Sequence, residues 1–539
     1  MKNEVDGYHC AVCRDQALAT QRAERTKERA FCAETAQQQN AAMLTRQQAH
    51  EDECNRRWEE KQAEEQRRQV TVTLRIGVFF DGTGNNPFNV ELGQRCGAHH
   101  PIAPQDLQGS CKPYMQDPSG SYGNEVTNVK RLHDLYLDSR STRDIKTQML
   151  AFKKVYVEGI GTTAGEQDSL LGSALGRGET GIEARVFQAF REVNKQIWRF
   201  HDENPELQIH SLIFDIFGFS RGAAAARHFA YLTMARIGSP LHETLALPKK
   251  FFANGFSKIY GESVHTGFIG LFDTVASVGG WSNLGYVRSP AAPGVKLHLP
   301  PKFFPHVLHL VARDEHRANF GLNRLGPDHT EISLPGAHSD LGGGYRDEAE
   351  ERVMLIPLQA LDVPVHTDVK TTSIYRDAQR AQATWHAKGW PLDMLRLVTP
   401  EPELLPADSQ DRMAPKHKRV FVGLLLQRKV SAGLAKVYLR VMYEAAKKHG
   451  VQFEEINERP GLRPPSELQT LCDRFISGDY SMTPAEEKLL RHRYIHRSAH
   501  WTPGLLAGPR TSKLELIYVN APTADAVRVQ HPHVPEWML

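Results

Sequence analysis

The feature that most constrains how this chain can fold is the stretch from Leu212 to Arg227. There Leu212-Ile213-Phe214-Asp215-Ile216-Phe217 runs without a break into Gly218-Phe219-Ser220-Arg221-Gly222, and then into four alanines, Ala223 to Ala226. A short apolar run bounded by glycine reads as a buried strand, and the alanine run after it as a helix. Ser220 therefore stands in the turn between them. Glycines at 218 and 222 and small side chains beyond let strand and helix approach closely, as a strained turn that presents a serine hydroxyl above a sheet demands. GxSxG alone recurs by chance; its strand-turn-helix setting is what singles it out. The competing reading is a glycine-rich turn whose serine caps the next helix.

A free serine hydroxyl is a poor nucleophile and needs a base within hydrogen-bond reach and a third group to orient that base. On an α/β-hydrolase sheet the partners follow in the order serine, acid, histidine, at strand ends. The apolar run Gly267 to Phe272 is followed at once by Asp273, which would otherwise read as an Asx turn or helix cap. Beyond Glu331-Ile332-Ser333-Leu334, His338 lies in Pro335-Gly336-Ala337-His338-Ser339-Asp340-Leu341-Gly342-Gly343-Gly344, flanked on both sides by glycine. His309, His316 and His329 compete locally for the base role but sit in sequence that reads as regular helix or strand. Asp340 competes with Asp273 for the acid. The oxyanion hole is expected from backbone N–H groups, one at Arg221 after the nucleophile and another at Asp81 or Gly82 after an early strand. Asp81-Gly82-Thr83-Gly84-Asn85-Asn86 also reads as a plain turn; it lacks the GxxxxGK[ST] of a nucleotide-binding loop.

The rest of the chain fits an α/β class. Val70 to Phe80 alternates with period two and ends wholly apolar, and Lys154 to Val157 repeats the strand pattern. Ile182 to Phe200 and Phe304 to Phe320 have helical spacing. Strands alternating with helices predict a mainly parallel central sheet flanked by helices, an α/β-hydrolase-like core over residues 70–350, with irregular loops over 90–125. Residues 1–69 read as a helical N-terminal arm: from Tyr8 to Ile76 neither glycine nor proline interrupts a sequence rich in Ala, Gln, Glu and Arg, though apolar residues are sparse. Residues 351–539 read as a helical C-terminal region on the core, with helices over Ser431–His449 and from Thr483, and Val353–Leu361 as a candidate lid.

Composition narrows the function. A net charge of +3 over 539 residues, with 40% hydrophobic and 24% charged residues, is that of an ordinary globular protein and points away from nucleic acid. No apolar run is long enough for a transmembrane helix, and Met1-Lys2-Asn3-Glu4 does not open a signal peptide, so export would need another carrier. The seven cysteines form no disulfide framework. Cys10 and Cys13 make one CxxC pair, with Cys32 and Cys54 following, but no second pair stands at zinc-ribbon spacing, so free thiols or a local disulfide compete with a metal site. No cofactor is implied.

Four ordered motifs, Phe79-Phe80-Asp81-Gly82-Thr83-Gly84-Asn85-Asn86, Gly218 to Ala223, Phe272-Asp273-Thr274-Val275-Ala276-Ser277 and His338 to Gly344, resemble the phospholipase effectors of bacterial type VI secretion systems. Ser431–Phe453 and Tyr494-Ile495-His496-Arg497-Ser498-Ala499-His500 are similar to that family too. The resemblance implies an α/β-hydrolase that cleaves fatty-acyl esters of phospholipids in a rival cell's membrane, with Ser220, Asp273 and His338 as its triad. It implies synthesis in the cytoplasm without a signal peptide, a secretion spike protein as carrier, delivery to the target periplasm, and a periplasmic immunity protein as inhibitor. A soluble carboxylesterase or thioesterase would need the same triad, and a non-catalytic binding protein could keep the fold.

Overall fold

Strand β1 (Val70–Phe80) sets the centre of the fold, because both of its faces are buried and each takes a different helical layer. Phe79 stacks on Phe217 with ring centroids 5.0 Å apart on one face, while Phe80 packs against Phe229 at 5.6 Å on the other. The computed structural model describes residues 20, 52–59, 70–118, 120–139, 145, 149–168, 181–234, 239–276, 294–406, 416–503 and 518–535. By contacts the chain forms two units, Met1–Val70 and Thr71–Leu539. In the first, residues 52–59 are an exposed helix, as expected of that part of the arm. Cys10, Cys13 and Cys32 lie outside the described residues.

In the second unit, helices α1 (Pro87–Cys96) and α2 (Asn128–Leu135) precede β2 (Leu150–Val157); α3 (Ile182–Glu203), β3 (Leu207–Phe219), α4 (Arg221–Thr233) and β4 (Val264–Phe272) follow. Then come β5 (Val307–Ala312), β6 (Leu322–Asn323), β7 (Thr330–Leu334) and the short helix α5 (His338–Gly342). The main sheet has the order β2-β1-β3-β4-β5-β7, and its pairs β1–β2, β3–β4, β4–β5 and β5–β7 run parallel. The chain passes from β1 outward to β2 and returns across β1 to β3, so the order reverses between β1 and β3. In doubly wound sheets ligands bind outside the carboxyl ends of the strands at such a reversal. Asp81 and Ser220 stand at those two ends.

Two expectations need correction. The stretch Phe304–Phe320, read as helical, contains β5, whose six residues are all buried; a strand covered on both faces reads as a continuous apolar run, without the alternation that would have marked it. The loop region 90–125 includes α1 and a Cys96–Cys111 disulfide that the scattered cysteines did not suggest.

The larger correction concerns residues 351–539. Strands β8 (Glu348–Met354), β9 (Gln359–Pro364), β10 (Leu395–Val398) and β11 (Glu403–Leu404) all pair antiparallel with the fifteen-residue β12 (His417–Ser431), and helix α6 (Ser373–Ala387) covers this second sheet. Val420 and Val422 pack with Ile374 and Ala378 of α6, and Leu424 and Leu426 with Trp390. The charged flanks of β12, His417-Lys418-Arg419 and Gln427-Arg428-Lys429, hide this period-two core, which is why the region read as helical. The candidate lid Val353–Leu361 instead begins in β8 and ends in β9, and both of these strands pair with β12. Helical sequence resumes as expected with α7 (Gly433–Lys448), α8 (Gln469–Ser477) and α9 (Pro484–Arg493), the last opened by the Thr483–Glu486 capping box. Leu434, Val437, Tyr438, Val441 and Met442 of α7 join the core that covers one face of the main sheet.

Candidate active site

The turn at the end of β3 puts Ser220 at φ 58°, ψ −125°, in a region that side-chain-bearing residues seldom adopt. Its glycines are there for space: a Cβ on Gly218 would come 2.6 Å from the Ala223 Cα, and one on Gly222 2.3 Å from the Asp81 carbonyl oxygen. The Ser220 N–H donates to the Phe272 carbonyl at 3.0 Å, tying the elbow to the end of β4. The next residue there, Asp273, is the other expected site residue held at positive φ, 44°.

His338 opens α5 and donates from Nδ1 to Asp273 Oδ2 at 2.5 Å. Its ring lies over the elbow, with its centroid 4.6 Å from that of Phe219 and 4.9 Å from that of Phe320. The glycine after it is needed as well, since a Cβ on Gly342 would meet the Phe219 ring at 2.1 Å. Among the described residues the Ser220 hydroxyl makes no hydrogen bond to His338; such contacts often tighten only once substrate is bound. Ser220, His338 and Asp273 are all buried.

The competitors have other partners. Asp340 accepts from the Ala337 N–H at 2.9 Å, the His496 N–H at 2.9 Å and His496 Nδ1 at 2.6 Å. The motif around His496 thus anchors α5 from below, while the Arg497 N–H donates to Glu351. His309 is occupied by the Thr274 N–H and Glu331. His316, one residue after Glu315, lies in the turn after β5, and His329 contacts the Leu299 carbonyl.

The oxyanion expectation needs correction on the β1 side. The Asp81 N–H donates to the Val157 carbonyl at 3.0 Å as β1 continues its ladder, and the Gly82 N–H donates to Asp81 Oδ1 at 2.7 Å. Both donors are engaged because the Asp81 carboxylate folds back over its own turn, where Thr127 and Tyr156 hydroxyls also donate to it. Burial lifts the Asp81 carboxyl to about 6 against these hydrogen bonds. One residue on, Thr83 Oγ1 is buried with no partner among the described residues. Arg221, the other expected donor, opens α4 directly behind Ser220.

Sequence reasoning missed three charged residues around Asp273 and His338. Glu315, fully buried, accepts the His338 N–H at 3.3 Å and pairs with Arg317 at 2.8 Å. From the other end of the chain, Arg528 donates Nη1 to Asp273 Oδ1 at 2.7 Å and Nη2 to Oδ2 at 2.9 Å. No local signal marks it, since 255 residues separate the pair. Burial pushes the Asp273 carboxyl up, but Arg528 and His338 together outweigh it and hold it well below the usual carboxylate range. Burial pushes His338 below its ordinary value, against the pull of Asp273.

Among the described residues one cluster, His298, Asp328 and His533, has metal-like spacing, with ligand atoms within 4.8 Å of one another. His533 Nε2, however, accepts the Leu299 N–H, so Nδ1 keeps its proton and donates to Asp328 Oδ2 at 2.7 Å, leaving no lone pair for an ion there.

Comparison with known proteins agrees with this architecture. Residues 240–361 match the family described as T6SS, phospholipase effector Tle1-like, catalytic domain; the match contains Asp273 and His338, and Ser220 precedes it. A solved structure of the Tle1 effector bound to the VgrG spike from the type 6 secretion system is similar at 29% identity, covering 86% of this chain and 94% of that one, with a TM-score of 0.64. The chain is thus similar, in a catalytic stretch and across most of its length, to type VI secretion phospholipase effectors. A Tle1-like effector is a phospholipase or lipase hydrolase that the type VI system secretes. A second structure, an uncharacterized protein from Pseudomonas aeruginosa, is similar at 19% identity over 79% of this chain and 53% of that one, with a TM-score of 0.34. The comparison with curated proteins returns no match. No described helix of this protein is long and apolar enough to cross a membrane.

Proposed function

We propose that this effector hydrolyses fatty-acyl ester bonds of membrane phospholipids, an antibacterial phospholipase A-type activity, by a Ser-His-Asp mechanism. The observation that carries the reading is the 2.5 Å contact between His338 Nδ1 and Asp273 Oδ2 beside a serine held at positive φ. Ser220 Oγ attacks the ester carbonyl while His338 Nε2 takes its proton. Asp273 holds the imidazole in the tautomer that leaves Nε2 unprotonated and stabilises the imidazolium that forms. The tetrahedral oxyanion is met by the Arg221 N–H and, in place of Asp81 and Gly82, by Thr83. His338 then protonates the leaving lysolipid oxygen, and water repeats the sequence on the acyl-enzyme.

Delivery follows from kinship: a spike protein of the VgrG kind carries this effector, as VgrG is the protein to which the similar Tle1 effector is bound. The site of action is the target periplasm, where an immunity protein blocks it. The arm 1–69 is a unit apart from the α/β-hydrolase core over 70–350 and from the C-terminal region from 351 onward.

The test measures fatty acid release from phospholipid vesicles beside hydrolysis of a soluble short-chain ester, for the wild type and Ser220→Ala, together with toxicity on directing each protein to the periplasm. The reading expects vesicle hydrolysis and toxicity to vanish with the serine. Undiminished hydrolysis or killing by Ser220→Ala would reject it, and activity on the soluble ester alone would point to a carboxylesterase or thioesterase.

A further inference from the structure

The segment that delivers Arg528 is a strap across the acid side of the site. Its strand β13 (Gln530–His531) pairs parallel with β6, with Leu322 N–H donating to the Val529 carbonyl and Arg324 N–H to the His531 carbonyl, each at 2.9 Å. Along it exposure alternates: Val527 is 67% and Val529 41% exposed, while Arg528 between them is 7% exposed. The strand period thus turns one long cation inward, between two apolar residues that face out. The strap is pinned at the arginine, by Arg528 Nε on the Phe320 carbonyl at 2.7 Å, and beyond it by His533 on Asp328 and Leu299.

We propose that Arg528 is a positioning residue for the hydrolytic step, clamping both oxygens of Asp273 so that the acid is complete only when the C-terminal strap is docked. The inference rests on reading Ser220, His338 and Asp273 as the triad. Asp273 accepts four hydrogen bonds: Ala312 N–H and Arg528 Nη1 on Oδ1, His338 Nδ1 and Arg528 Nη2 on Oδ2. A planar guanidinium fixes a carboxylate bidentately, which a single contact from His338 does not. The cation also offsets the charge that His338 feels through Asp273. Among the described residues, the other charged groups around the ring are Glu315 and Arg317, which pair with each other, and Asp340, which is turned to His496. Arg528 therefore sets two things, the carboxylate's orientation and the proton affinity of the imidazole.

Two readouts on the full chain separate these roles from simple packing. In Arg528→Gln the loss of the cation leaves Asp273 a stronger attractor of protons onto His338, so the acid limb of kcat/KM should rise by about one pH unit. The loosened carboxylate should lower the plateau on the order of 10- to 100-fold. Arg528→Lys, which keeps the charge without the fork, should lower the plateau while leaving the limb in place. Added guanidinium should restore part of the rate of Arg528→Ala. Wild-type plateau and limb in a folded Arg528→Gln, or a wild-type plateau in Arg528→Lys should Arg528→Gln fail to fold, would overturn the proposal. The imidazole of His338 is also titrated directly by NMR in the Ser220→Ala background, with and without Arg528→Gln. That readout needs no turnover: hydrolysis surviving Ser220→Ala sinks the triad, whereas an unmoved His338 titration sinks the role of Arg528.

Discussion

Asp273→Asn is the change whose consequences follow most directly from the site. The native carboxylate, fully buried, faces four donors and accepts from all of them. An asparagine amide has one acceptor oxygen, so in either orientation its NH2 meets two donors: Ala312 N–H and Arg528 Nη1, or His338 Nδ1 and Arg528 Nη2. Either way Arg528 keeps its charge in a buried place without the carboxylate that it clamps. Breaking a buried ion pair from one side costs roughly 3–5 kcal/mol, and urea unfolding followed by circular dichroism should show a loss of that order. Activity should fall much further, on the order of 10⁴-fold in kcat, because the substituted side chain no longer holds the productive imidazole tautomer. The double variant Asp273→Asn/Arg528→Met removes the stranded cation as well. Its stability loss should be smaller than the sum of the single losses by about 1–3 kcal/mol, while its activity stays low. Single losses that add to within about 0.5 kcal/mol would mean that the two side chains do not share one energetic unit, and the clamp on the acid would be refuted.

Gly222→Ala places a methyl 2.3 Å from the Asp81 carbonyl and 2.4 Å from that of Phe80, both backbone atoms that cannot swing away. It should cost on the order of 1–3 kcal/mol in unfolding and abolish ester hydrolysis by prising the elbow from the β1 turn; full activity would contradict the close approach. In the proposed mechanism the pH dependence follows from His338, which can accept the Ser220 proton only when neutral. Since burial outweighs Asp273 and lowers its proton affinity, kcat/KM should rise with pH along a limb centred below the ordinary histidine value of 6.5 and stay level above it. A limb above 7 in the wild type would contradict that balance.

Much of the main sheet, and the places of Ser220, Asp273 and His338 at its strand ends, could be read from sequence because the signals were local. The elbow, Asp273 at the end of β4 and His338 among its glycines each sit where a strand stops, and strand ends leave compact signatures in apolar runs and glycines. What escaped was whatever depended on distant segments. The second sheet hangs on β12, whose buried residues at 420, 422, 424 and 426 were masked by the charges at either end. The β1 oxyanion donors failed because a side chain, Asp81, claims the Gly82 N–H, a matter of one rotamer that no spacing reveals. Arg528 lies in unremarkable sequence, and its meaning appears only when β13 finds β6.

The place of Arg528 has a consequence for how the enzyme is made. During synthesis Ser220, Asp273 and His338 all emerge before the residue that clamps the Asp273 carboxylate, by 255 positions in the case of Asp273. A nascent chain stalled or cut anywhere short of residue 528 therefore carries the proposed triad without the arginine that holds Asp273. On the proposed reading, translation itself would withhold full hydrolytic potency until the ribosome has passed that codon.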